Sequence, residues 1–251
     1  MAFQFRRSGN PGLNDSTFTR VPRVGFGEQP MTVAGTVNKS FLLLVVMMLS
    51  ALWPWLQASA GNTQAVGGLV TLGAIGGFIL ALIISFKPTT APYLAVPYAA
   101  LEGVVLGAIS AMFEARYPGI AIEAIGGTFA VSFVMLMLYR TRVIRVTDRL
   151  RAVVMGAMFG IVLLYVGAWI LSFFHVVVPF INSGGPLGIA FSVFVIGVAA
   201  FMLTLDFDMI ERGAAAGAPQ YMEWYGAFGL MVTLVWMYVE MLRLLAKLQQ
   251  R

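Results

Sequence analysis

Polar and apolar positions along this chain alternate on a scale of about 20 residues, far coarser than the two- or four-residue rhythm of soluble strands and helices. Seven apolar blocks run at about 38–57, 66–86, 93–113, 120–139, 152–174, 187–207 and 225–247. Each is close to the length a helix needs to cross a hydrocarbon core of roughly 30 Å. The breaks carry turn and interface chemistry: Gly61 and Asn62, Lys87 and Pro88, Tyr117 to Gly119, Asn182 to Pro186, and Gly217 to Pro219. Trp53, Trp55, Trp169, Trp224 and Trp236 fall mostly near block ends, where an amphipathic ring prefers the headgroup region. The pattern predicts an all-α, polytopic seven-helix bundle over residues 38–248, preceded by a polar, proline- and glycine-bearing segment, 1–37, read as a disordered cytoplasmic tail. That segment lacks the apolar core and cleavage site of a signal peptide.

Composition sharpens this picture. With 59% hydrophobic and 11% charged residues, the chain lies far outside the soluble range, and lipid is the expected solvent. The absence of cysteine excludes disulfides and thiolate chemistry, and His175 is the single histidine. The net charge of +5 forms no continuous basic stripe, so nucleic acid is not an expected partner. Cations instead cluster at block ends. The tail plus Lys39 supplies five, and Arg140, Arg142, Arg145, Arg149 and Arg151 supply five more on the same side, whereas the opposite loops offer only Arg116 before the C-terminus. This asymmetry predicts an inner (plasma) membrane protein with a cytoplasmic amino terminus. Seven crossings then strand Arg243, Lys247 and Arg251 outside, which suggests a last block that is re-entrant or centrally buried.

Within the blocks, Gly73 and Gly77, and Gly103 and Gly107, are spaced to let helix backbones approach closely. Ionisable groups inside spans are more informative, since each costs at least a few kcal/mol unless paired or hydrated. Asp206, Glu240 and Glu102 meet that description. Two carboxylates meeting in a low-dielectric site share a proton and sense pH, and when charged they offer hard oxygen ligands to calcium. Asp206 and Glu240 are the candidate pair. The plainer alternative is that Asp206 and Asp208 mark a helix end while Glu240 pairs with Arg243 one turn later. Lys87 closes the second block and either reaches towards a carboxylate as a latch or snorkels to headgroups. No metalloprotease, serine-hydrolase, phosphate-loop or dinucleotide motif occurs, and the Gly-x-Gly-Asp pattern of intramembrane aspartyl proteases is absent, so neither an enzyme nor a resident cofactor is expected.

Several stretches carry a resemblance. Leu205-Asp206-Phe207-Asp208-Met209-Ile210-Glu211-Arg212-Gly213, followed by Gly217-Ala218-Pro219-Gln220-Tyr221-Met222-Glu223-Trp224-Tyr225, resembles a bacterial branch of the Bax inhibitor-1 family. Glu102-Gly103, Glu123-Ala124-Ile125-Gly126-Gly127-Thr128-Phe129 and Tyr238-Val239-Glu240-Met241-Leu242-Arg243-Leu244-Leu245 resemble further family patterns in the same order, over about 38–248. The resemblance implies a seven-helix bundle with the last helix central and a proton-sensitive calcium leak. It puts the family's acidic residues on Asp206 and Glu240, the latter often aspartate, and its basic latch, usually arginine, near Lys87. Counting 1.5 Å per residue, Glu240 lies some 20 Å into its block while Asp206 is near its block's end, so their pairing requires the sixth helix to run past Asp208 or the last to begin deeper. The expected function is a pH-gated leak for calcium, with lipid, calcium and protons as partners. The alternative is a non-transporting regulator that binds a protease or a stress-response membrane complex through its tail.

Overall fold

The structure, a computed structural model, describes residues 29–174 and 183–250; His175, Arg251 and the tail up to residue 28 lie outside the described residues. Seven helices fill it: α1 (Val33–Ser59), α2 (Thr63–Phe86), α3 (Ala91–Arg116), α4 (Ile120–Arg140), α5 (Asp148–Phe173), α6 (Pro186–Ala215) and α7 (Tyr221–Gln249), with a single 3-10 turn at Pro88–Thr90. No strand occurs among the described residues, and all seven helices are long and apolar enough to cross a membrane. Most run past their apolar blocks, because capped polar turns extend them. Thr32 and Thr147 accept the amides of Gly35 and Leu150, and so start α1 and α5 ahead of the apolar onsets at 38 and 152. Residues 33–37 are therefore helix, not tail.

The last helix is central. α7 packs on α1, α3, α4 and α6, while α2 lies outside on α3, and α5 lies outside on α6. Half of the most apolar window of α7 is buried, against 11% for α1 and α5, whose large side chains face lipid. α7 is neither re-entrant nor short. Of its C-terminal cations, Lys247 is buried within the bundle and Arg243 pairs with Glu240, as described below.

Glycine sets the tightest crossing, where α3 meets α1. A Cβ on Gly103 would collide with the Met47 carbonyl and the Ser50 hydroxyl, and one on Gly107 with the Ala51 carbonyl. On the other side of α3, a Cβ on Gly73 would press the Leu101 carbonyl at 3.1 Å. Both predicted glycine pairs thus sit at close helix contacts, as packing in lipid requires.

A polar staple closes the face where α1 begins. Met31 donates its amide to the Ala218 carbonyl, and Glu223, 3% exposed, accepts from the Thr32 amide and hydroxyl and pairs with Lys39, whose ammonium also lies over the Trp224 ring. Replacing Glu223 by glutamine should cost about 2 kcal/mol, because bonds to a charged, buried acceptor are lost. Faster amide exchange at Gly35 and Thr36 is the expected signature; unchanged protection there would show that the staple is dispensable.

Candidate functional site

α6 and α7 run antiparallel, and each carries polar residues seven or fourteen positions apart, intervals that return to one face of a helix. On α6 these are Ser192 and Asp206, with Ala199 between them; on α7 they are Thr233, Glu240 and Lys247. Facing each other, the two rows make a polar seam across the bundle. Thr233 donates its hydroxyl to Asp206 at 2.7 Å. Further along, Ser192 donates to Glu240 at 3.3 Å and accepts from the Lys247 ammonium at 2.8 Å, and that ammonium also reaches the Gly188 carbonyl at 3.0 Å. Between the two stations the seam is dry: Ala199, Leu203 and Met237, each at most 1% exposed, belong to one apolar cluster.

Glu240 is the better satisfied carboxylate. It is 1% exposed and accepts from the Tyr165 hydroxyl at 3.1 Å on both oxygens, from Ser192, and from Arg243 at 3.4 Å. Arg243 in turn stacks over the Tyr165 ring, 5.1 Å from its centroid. Such a buried acid is tolerable in lipid because donors surround it. Asp206 has far less support. Thr233 supplies its one hydroxyl contact, and no cation among the described residues lies within ion-pair distance.

Asp206 and Glu240 are not brought together. α6 does continue past Asp208, to Ala215, but this places Asp206 opposite Thr233, and Glu240 lies roughly 10 Å further along α7 at 1.5 Å per residue. Each is roughly 14 Å in from its own helix end, one towards each face of the bundle. They form two stations in place of a proton-sharing pair, and among the described residues no three acidic or histidine side chains gather into a calcium cage. Asp208, two residues on, turns away to Arg151 and Arg212 at 3.0 and 2.9 Å and ties the first turn of α5 to α6. Glu211 ties Arg142 of the α4–α5 linker and Tyr139 of α4 to α6.

Lys87 caps the C-terminal end of α2, exposed, with no carboxylate in reach among the described residues. At the Glu240 station the basic groups are Arg243, which bonds the acid, and Lys247, which bonds the neighbouring Ser192 hydroxyl. Glu102 sits half-buried on α3 with a carboxylate oxygen against Gly77 of α2, away from the α6–α7 seam. Sequence reasoning passed over Thr233, Tyr165, Ser192 and Lys247. The seven-residue spacing of Thr233, Glu240 and Lys247 was the available signal.

A model of the Bax inhibitor 1 like family matches residues 7–250, nearly the whole chain. The chain belongs to the Bax inhibitor 1 like family. No curated protein and no solved structure matches it. The matched stretch takes in all seven helices.

Proposed function

We propose that this Bax inhibitor 1 like protein is a proton-sensitive cation leak of the inner (plasma) membrane, drawn in its closed state, with calcium as the permeant ion. The observation that carries the reading is Asp206, a carboxylate inside a span that bonds the Thr233 hydroxyl and that, among the described residues, no cation pairs with. Protonated, it fits the dry seam; ionised, it favours water or a cation beside it, because an unpaired charge in a low-dielectric interior is costly. Glu240, Ser192 and Tyr165 form a second oxygen-rich station beyond the collar of Ala199, Leu203 and Met237. A cation crossing between α6 and α7 meets oxygen, hydrocarbon, then oxygen, and displacement of the collar is the opening step. On this reading the face bearing Lys39 and the α4–α5 arginines is cytoplasmic.

Reconstitution into liposomes loaded with a calcium dye tests the reading. The wild type should leak faster as pH rises through the range in which Asp206 deprotonates. Asp206→Asn should reduce that pH response by about tenfold, the effect of about 1.4 kcal/mol on an opening equilibrium. A double variant Asp206→Asn, Glu240→Gln with unchanged pH-dependent flux would eliminate the mechanism. No flux from the wild type at any pH would favour a non-transporting regulator, and chemistry on a substrate plays no part in either reading.

A further inference from the structure

A second feature lies apart from the seam. α1 and α4 pack on α3 and α7 rather than on one another, and between them is a cavity of about 360 Å³ in the half of the bundle remote from the amino end. Its wall on α1 runs from Leu44 to Trp55, roughly 16 Å at 1.5 Å per residue, so the cavity is a slot parallel to the helix axes. Its lining is almost wholly apolar. Met48, Leu52, Ile122 and Phe129 at its rim are exposed, so the slot opens sideways, where the bilayer lies, rather than towards water. The close approach of Gly107 to Ala51 forms part of its back wall.

Polar groups occur at defined heights. Glu114 lies near the end of α3, at the headgroup level marked by Trp55; its two oxygens accept the amides of Gly119 and Ala121 at 2.6 and 3.1 Å, which pins the carboxylate at the slot's outer end. Each oxygen retains a further lone pair for a donor. Ser110 and Tyr238 hydrogen-bond to each other at 2.6 Å about one turn deeper, so the polar atoms of the inner slot are already partnered. A narrow apolar cavity does not hold water and forfeits dispersion contacts if left empty. In a bilayer the neighbouring material is hydrocarbon chain.

We propose that this slot holds one acyl chain of a phospholipid whose head group carries a primary ammonium, the chain lying along α1 and the ammonium beside Glu114. Shape selects an extended chain, and the pinned carboxylate selects a cationic donor over an anionic head. The occupant would brace α7 through Leu234, Val235 and Tyr238, the last two residues short of Glu240. The proposal does not rest on the leak and survives its failure.

Native mass spectrometry of the full chain, released from bilayers containing equal amounts of phosphatidylethanolamine and phosphatidylglycerol, provides the test. The wild type should retain one phosphatidylethanolamine per chain. Ile125→Trp, which fills the slot, should lower retention roughly tenfold, while Phe159→Trp, on the lipid-facing side of α5, should not. Should Ile125→Trp fail to fold, Met48→Trp at the rim takes its place with the same expectation. Glu114→Gln should abolish the preference between the two lipids. Absence of retained lipid in the wild type, equal retention by the slot-filling variant, equal loss in Phe159→Trp, or wild-type retention of both lipids alike would each overturn the proposal.

Discussion

Gly107→Val is expected to destabilise the bundle by about 3 kcal/mol or more, at the upper end of overpacking costs. The added Cβ would meet the carbonyl, carbonyl carbon and Cα of Ala51, all backbone atoms of α1 that have no rotamer to yield. Relief therefore requires α1 and α3 to separate along their length, and with them the Gly103 contact at Met47, one turn away. Gly126→Ala is the matched control, since a Cβ there meets nothing within 4 Å. It should be neutral or gain up to about 1 kcal/mol from helix propensity. Thermal melts in lipid nanodiscs separate the two: at 2–4 °C per kcal/mol for a chain of this size, the valine variant should melt roughly 6–12 °C lower. Equal melting of both variants would contradict the observed crossing.

The second large effect concerns Glu240. Glu240→Leu should cost about 3–5 kcal/mol, because it removes the acceptor shared by Tyr165, Ser192 and Arg243 and leaves the hydroxyl hydrogens of Tyr165 and Ser192 without that acceptor inside the bundle. Glu240→Gln preserves an acceptor and nearly the same shape, so its loss should be closer to about 1 kcal/mol. Denaturant unfolding of the two variants side by side reads the difference. A leucine variant as stable as the glutamine variant would show that the Tyr165 and Ser192 hydroxyls find other partners at no cost. The glutamine variant is therefore the one suited to flux measurements.

Seven helices were legible because the bilayer imposes a length on each apolar block, and the structure returns every one of them. Their ends were less legible. Capping by Thr32 and Thr147, and the polar last turns of α6 through Arg212, extend helices beyond the residues that lipid itself selects. That same extension hid the partner of Asp206. Asp206 and Glu240 stand out individually as acids in apolar surroundings, but which residue lies opposite each depends on the register of two antiparallel helices, and register follows from where the α6–α7 turn falls. With that turn at Ala216–Gln220, Thr233 faces Asp206 and Ser192 faces Glu240. The cations at the C-terminus accord with a centrally buried last helix: Arg243 and Lys247 bond to internal acceptors, and Lys247 is only 4% exposed.

The outlying position of α5 has a mechanical corollary. This helix packs chiefly on α6, with most of its surface towards lipid, yet its Tyr165 hydroxyl reaches across to the acid of the central helix. Any outward shift of this outer helix therefore lengthens the Tyr165–Glu240 hydrogen bond, a tether running from the lipid-facing shell to the centre of the bundle.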